Sequence, residues 1–408
     1  MAERYRSGME KMYWIFQTII LLYDRLGTTP IIAGVKSCVE NLFSDYSADL
    51  VDLVFYFFLN LRYLIIIPAI YTWIIDIKGW RRKTITAAFL ALGLFYADYW
   101  QKLNDTMIFE IMLLIVASYG KEFKRIAYQG IRITLGVVFT AVVLWCFKVL
   151  PDYPQISEEY TRHSFGMFFY TDLAAHLLFI VALYIFVKNG ALNKREYIVA
   201  IVLILLNIII IRSVPSVLCA LLLVFGCAVR DNVKNVTQGK LCLACKWLFV
   251  GAFVFCAAIY MVLNFSYTDD AAALYNSCGL LRGLGERLRI SANVTRVLPF
   301  SWFGKYFFQI GIRGDAMSSS VSFLTFLDCS YIRIYVMYGV VAFIFVLVLF
   351  SGIQYRLLKS KMVFKMFVLA VVALHAIAEH RLMDPAYNLF LLLPYTVLRE
   401  DSLNVTKE

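Results

Sequence analysis

The chain has 408 residues, 61% hydrophobic and only 16% charged, with a mean hydropathy of +0.73. A soluble chain carries about 25% charged residues, so this composition excludes an ordinary water-facing globule and implies an integral membrane protein. The net charge of +11 is broken up by apolar runs rather than gathered in a basic domain, and no nucleic acid is expected as a partner.

A helix needs about 20 apolar residues to cross a bilayer. Candidate spans follow at roughly 11–24, 50–75, 84–99, 105–120, 127–150, 168–188, 196–212, 214–229, 243–265, 330–352, 364–379 and 386–398. The first and last are short enough to be interfacial or re-entrant, and 196–229 can be divided differently around Pro215. The expected fold is all-α: a polytopic bundle of about 10–12 spans, one integral membrane domain over 1–408, with a large extracytoplasmic loop near 266–329. Met1 to Lys11 leads into the first span without a small-residue cleavage site, so no cleavable signal peptide is expected.

Basic residues mark every second connection. Lys78, Arg81, Arg82 and Lys83 share one; Lys121, Lys124 and Arg125 another. The series continues through Lys188, Lys194 and Arg195, then Arg230, Lys234 and Lys240, then Arg356, Lys359, Lys361 and Lys365. Cytoplasmic connections retain Lys and Arg. That rule puts these turns inside, together with Arg4 and Arg6 at one end and Arg399 at the other. Two outer connections stand out: the acidic stretch 151–167 and the long stretch 266–329, and long connections usually carry function.

Four clusters in those regions could hold chemistry. On a helix, Arg282, Glu286, Arg289, Asn293 and Arg296 share a polar face opposite Leu281, Leu284 and Leu288, with Pro299 as a stop. That pattern fits an amphipathic helix lying on lipid headgroups. It fits equally an anion site, because guanidinium groups bind phosphate bidentately. Arg162 and His163 precede Asp172 and His176; a carboxylate at the head of a membrane helix is a functional candidate by default. Glu379, His380, Arg381, Asp384 and Asn388 follow a late span, as a turn cap or as an acid–base group beside an anion clamp. Asp328 is placed to cap the next span, and Tyr331, Tyr335 and Tyr338 then recur on one face, as an interfacial belt or a sugar-stacking surface.

Cys242 and Cys245 form a CxxC without further ligands, so no metal is expected. Cys278 and Cys329 fall in the long loop, which leaves a disulfide open. No P-loop, HExxH or Gly-rich dinucleotide motif is present, and no cofactor is expected.

At these clusters the chain resembles the Wzy-type oligosaccharide repeat-unit polymerases of capsule, exopolysaccharide and O-antigen pathways. RHSFGM (Arg162 to Met167) is similar to that family's R-x-S-L-G-F element, and ERLRIS to its G-R-L element with Arg287 at the arginine. LDCSYIRIYVMYG matches Asp328, Tyr331, Tyr338 and Gly339 of a third element; Glu379, Leu382 and Asn388 match a fourth. The chain departs from the family where a histidine often follows the first element and Phe168 to Thr171 stand here. The resemblance implies a metal-free glycosyltransferase of the bacterial cytoplasmic membrane, with both termini cytoplasmic. It would join undecaprenyl-diphosphate-linked oligosaccharides, in contact with membrane lipid and with a flippase and a chain-length regulator of the same pathway. Arg162, Arg287, Arg289, Arg296 and Arg381 are then the expected anion ligands, with Asp172, Tyr331 and Asn388 beside the substrate. Glu379, His380 or Asp328 is the expected acid–base group. The alternatives are an O-antigen-type ligase and a lipid-linked oligosaccharide flippase or transporter.

Overall fold

The computed structural model describes residues 2–42, 60–101, 107–156, 161–236, 246–268, 282–298, 301–305 and 327–398. These residues are mostly helical. Three helical stretches are long and apolar enough to cross a membrane: Phe123–Cys146, Tyr170–Val187 and Ser330–Lys359. Met107–Ala117, Val214–Arg230, Ala252–Phe265 and Val363–Ala378 are shorter apolar helices. Large apolar side chains stand exposed along the surface, among them Ile198, Val199, Ile209 and Phe225. A water-facing protein rarely tolerates such a surface; hydrocarbon favours it. The CxxC at 242–245, Cys278 and Leu281 lie outside the described residues.

The chain divides into two compact units. The first comprises Met1–Gly27, Ile31–Val137 and Leu389–Glu408. Its helices are α1 (Ala2–Leu26), α2 (Ile31–Leu42), α3 (Ile66–Tyr71), α4 (Trp80–Gln101), α5 (Met107–Ala117) and most of α6 (Phe123–Cys146). Arg62 meets Glu110 at 3.2 Å, and Arg25 donates to Thr134 at 2.5 Å and to the Leu21 carbonyl at 3.0 Å. The stretch expected as a last span, 386–398, forms no regular helix. Its part in this unit runs as a 3-10 turn, Leu389–Leu392, and then pairs Val397 beside Glu122. Pro394 denies the backbone a donor. Irregular backbone survives at membrane depth only inside protein, and Leu389 to Leu393 are buried.

The second unit comprises Thr28–Pro30 and Val138–Asn388. It contains a short antiparallel pair, β1 (Gln155–Ile156) and β2 (Thr161–Arg162), with Gln155 opposite Arg162. Its helices are α7 (Tyr170–Val187), α8 (Lys194–Leu206), α9 (Val214–Val236), α10 (Ala252–Phe265), α11 (Arg282–Val297), α12 (Ser330–Arg333), α13 (Gly339–Lys359) and α14 (Val363–Ala378). The central element is α14, which packs against α7, α9, α10 and α13.

Helix α11 is the amphipathic helix expected within 266–329. Its apolar face is covered by protein: Leu288, Ala292 and Val294 are buried, and it packs on α10. Two polar pairs fix that contact, Tyr260–Ser291 at 3.1 Å and Asn264–Thr295 at 3.0 Å.

Between α12 and α13 the helix is broken. Residues Ile334–Tyr338 form a π turn and Gly339 takes φ +83°. The segment 301–305 is inserted at the break. Lys305 N donates to the Val336 carbonyl, while Val340 N and Val341 N donate to the carbonyls of Ser301 and Trp302. Gly304 and Gly339 touch backbone to backbone, so neither position has room for a Cβ. The π turn also interrupts the regular face expected for Tyr331, Tyr335 and Tyr338: Tyr331 and Tyr338 are buried and Tyr335 is half-buried.

Candidate functional site

The 152–167 connection folds around Asp152. Its carboxylate accepts from Ser164 N at 2.9 Å and Ser164 Oγ at 3.1 Å, and contacts His163 Nδ1 at 2.5 Å. Burial works against the Asp152 charge, but the bonds from His163 and Ser164 outweigh it and hold the carboxyl below its usual range. Phe165 and Gly166 close the turn at φ 53° and 76°, and a Cβ on Gly166 would run into the Ala141 carbonyl. The turn brings Arg162 to Tyr170. Arg162 Nη1 donates to the Tyr170 hydroxyl at 2.7 Å, and its guanidinium lies 4.9 Å from the ring centre.

Asp172 opens α7 as part of a capping box, accepting from Phe169 N at 3.1 Å. It also accepts from Arg381 and, at 2.9 Å, from the Tyr387 hydroxyl. Arg381 lies over the Tyr387 ring, on which His176 also stacks at 4.2 Å. His176 in turn contacts Thr28 Oγ1 at 3.0 Å. Asp172 and Arg381 are both buried, so this pair holds the turn after α14 against the start of α7.

A second charged cluster joins three elements. Arg287 on α11 donates from Nε to Asp328 at 3.1 Å and from Nη2 to Glu379 at 3.3 Å. Asp328 precedes α12, which Cys329 rather than Asp328 caps. Glu379 ends α14 with an extended backbone. Side-chain exposure is graded across the cluster: 34% for Asp328, 17% for Arg287 and 2% for Glu379. Tyr170 lies within electrostatic reach of both Arg287 and Glu379, which links the cluster to Arg162. Ser330 Oγ ties the strands of this knot, donating to the Glu379 carbonyl at 2.6 Å and accepting from Leu382 N at 3.1 Å.

Burial pushes the Glu379 carboxyl up to about 7; Arg287 opposes the shift and Asp328 adds to it. Arg287 feels burial against its charge, yet Glu379 and Asp328 outweigh it and raise its pKa. Burial, with Arg381 beside it, holds His380 well below the usual imidazole range, so it is neutral at pH 7.

Comparison with protein-family models, curated proteins and solved structures gives no match.

Of the residues singled out from sequence, Arg162, Asp172, Arg287, Asp328, Glu379 and Arg381 converge on the adjoining ends of α7, α11, α12 and α14. Arg289 and Arg296 do not join them. Arg289 pairs with Glu286 on the exposed face of α11, and Arg296 donates to the Tyr267 carbonyl at 2.8 Å. Tyr331 is buried and donates to the Ala373 carbonyl at 2.9 Å, so it offers no stacking face. Asn388 is buried and donates to the Leu382 carbonyl at 2.7 Å, closing the turn from inside. Sequence reasoning passed over Asp152, Tyr170, Ser330 and Tyr387. Each lies within ten residues of a candidate, but none carries a charge pattern that marks it as a partner. Among the described residues no group of three or more His, Cys, Asp or Glu side chains could hold a metal ion, and Cys329 is a buried free thiol.

Proposed function

We propose that the chain is an oligosaccharide repeat-unit polymerase of a bacterial cytoplasmic membrane. It would move a growing glycan from one polyprenyl diphosphate to the terminal sugar of a second lipid-linked unit. The observation that carries this reading is Arg287, partly exposed and held by two carboxylates of graded burial. Two of its five N–H donors serve Asp328 and Glu379. The remaining three face no partner among the described residues, which suits a diphosphate oxygen.

In the proposed step the bond between the donor sugar's anomeric carbon and the diphosphate oxygen breaks, and its electron pair leaves with the lipid diphosphate. The acceptor hydroxyl oxygen forms the new bond to that carbon, and its proton passes to Glu379. A base poised near neutral pH is the efficient choice for that transfer. Arg287, with Arg162 behind Tyr170, would neutralise charge growing on the leaving group. Asp172 and Arg381 act as positioning residues, because both are buried and pair with each other.

The membrane reading rests on the three long apolar helices and on the basic connections. About ten to twelve crossings with both termini cytoplasmic is the arrangement proposed. The pairing of Val397 beside Lys121 and Glu122, in a basic connection, supports a cytoplasmic C-terminus. One observation favours the transporter alternative: buried Glu110 paired with half-buried Arg62 in the first unit, since charges within membrane helices often mark transport paths.

The test is deletion of the gene in its host, with complementation by wild type or Arg287→Ala and the surface glycan run on a gel. Loss of long chains with single repeat units retained, not restored by Arg287→Ala, is the expected result. Absence of single units from the surface would favour the transporter. An unchanged glycan would end the polymerase reading.

A further inference from the structure

We propose that the first unit holds one phospholipid by a phosphoethanolamine head, in a cavity of about 310 Å³ beside the start of α1. Helix α1 lines it with Glu10, Tyr13 and Trp14, the π turn after α3 with Asp76, and the connection into α6 with Lys121. The backbone around it is fixed before any ligand arrives. Gly120 N donates to the Tyr395 carbonyl at 3.0 Å, and Val397 N to the Lys121 carbonyl at 2.7 Å. Lys83 ties the turn that carries Asp76: its Nζ donates to the Ile74 carbonyl at 2.6 Å and its own carbonyl accepts from Trp73 Nε1 at 3.0 Å.

The charges that line the cavity are not matched to one another. Burial lowers the Lys121 pKa; Glu10 and Asp76 oppose the shift, and Arg6 and Arg125 add to it. All four therefore lie within electrostatic reach of the ammonium. Among the described residues Lys121 nonetheless makes no ion pair and no side-chain hydrogen bond, and its one side-chain contact of note is the Tyr13 ring at 5.5 Å. Asp76 likewise forms neither an ion pair nor a side-chain hydrogen bond among those residues. Arg125 differs: it lies over Trp14 at 4.0 Å and meets Glu10 at 3.8 Å. The Tyr13 hydroxyl is buried and has no hydrogen-bond partner, a state that buried polar groups rarely keep.

A lysine and a carboxylate within reach of each other but unjoined are both completed by a ligand whose own charges run in the reverse order. A phosphate oxygen accepts from an ammonium and from a phenol, which suits Lys121 and Tyr13. A primary ammonium has three N–H groups to donate, which suits Asp76. A quaternary ammonium has none, so the pair selects phosphoethanolamine over phosphocholine. The stretch that lines the cavity with Pro68, Tyr71, Thr72 and Asp76 also leaves Ile67, Ile70, Ile74 and Ile75 exposed. That apolar flank gives acyl chains a surface beside the head, which a soluble zwitterion would not use. Lys121 belongs to a basic connection that the charge pattern assigns to the cytoplasmic side. No residue of the cavity takes part in the proposed glycan transfer, so the inference stands or falls independently of the polymerase reading.

The test uses the full-length protein, exchanged into mixed micelles of equimolar dioleoyl phosphatidylethanolamine and dioleoyl phosphatidylcholine, with retained lipid counted by native mass spectrometry. Wild type is expected to retain one phosphatidylethanolamine in preference to phosphatidylcholine, on the order of tenfold. Asp76→Asn should lower phosphatidylethanolamine to the level of phosphatidylcholine. Lys121→Gln should lower both, because the phosphate is common to them. Neither residue has an ion pair to lose, so both variants should melt with wild type. Glycerophosphoethanolamine, added as the head without acyl chains, should not displace the lipid. Equal retention of the two lipids by wild type would overturn the proposal, as would a preference that persists in folded Asp76→Asn carrying Lys121→Gln. Displacement by glycerophosphoethanolamine would reassign the cavity to a soluble ester and overturn the lipid as its occupant.

Discussion

At the scale of single residues, the two buried carboxylates of the site have different work. Asp172 is satisfied by Arg381, Tyr387 and a backbone amide. Removing one member of a buried ion pair costs about 3–5 kcal/mol. Arg381→Ala should therefore melt far below wild type in a detergent thermal scan, and Arg381→Met with Asp172→Leu should recover much of the loss. Glu379 is poised instead of satisfied. Its carboxyl is raised, so it loses its charge as pH falls through about 7. A base must be ionised to accept a proton, so polymer formation in proteoliposomes should decline as external pH falls through that region. Asp328 adds to the upward shift, so Asp328→Asn should move the decline to lower pH. Glu379→Gln should reduce the rate by about 10² or more without lowering the melting temperature, because the amide mimics the uncharged form that burial favours. A Glu379→Gln protein with wild-type polymer yield would remove Glu379 from the chemistry. Asp328 and Glu379 were legible in the sequence as acids at the ends of apolar runs, and Arg287 only through its likeness to the G-R-L element. Their meeting was not. The contacts span separations of 41 and 92 residues, and neither hydropathy nor spacing carries that information.

The elements show the same division between local and distant causes. Most helices follow from apolar runs bounded by polar turns. α8 begins where Asn193 and Glu196 form a reciprocal cap, as a residue pattern alone suggests. The exception at 386–398 has the composition of a span, yet Pro385 and Pro394 flank a stretch that is buried and turned instead of helical. For α11 the periodicity identified the helix and its exposed face. It could not identify Arg287, which lies between exposed Glu286 and buried Leu288 and belongs to neither face. Glycine makes the sharpest prediction at this scale. Gly304→Ala and Gly339→Ala each place a methyl group against a backbone neighbour at positive φ. A strain of this kind costs more than about 1 kcal/mol. Both variants should lower the melting temperature, whereas Gly283→Ala, with open space around it, should not.

For the whole molecule, the arrangement in the membrane is the part most directly open to measurement. A cysteine at Gly283 should react with a membrane-impermeant maleimide in intact cells. A cysteine at Lys361 should react only after lysis. Native Cys146 is exposed, and the side chains of Cys38, Cys242, Cys245 and Cys278 lie outside the described ones, so the scan begins from a chain with all five replaced by Ser. The reverse pattern would put the Arg287 cluster on the cytoplasmic side, where lipid-linked polymerisation of the proposed kind does not fit. A sequence can carry information at this scale because charge is partitioned between alternate connections by membrane insertion itself, a constraint that needs no tertiary contacts.

The seating of 301–305 in the broken helix bears on how a ligand would be caught. Arg287 stands on a helix whose far end is pinned through Arg296 to Tyr267, and whose body is pinned through Ser291 and Thr295 to α10. A few residues later the chain is clamped again between Met337 and Val341. An arm fastened at so many points has already surrendered its freedom during folding. A diphosphate arriving there need not repay that entropy, and no jaw-like closing is required of the arginine. In the proposed reaction the moving partner would be the glycan-bearing lipid, sliding along the bilayer to a stationary post. Capture would then be paced by lateral diffusion of the lipid, with the protein contributing aim instead of motion.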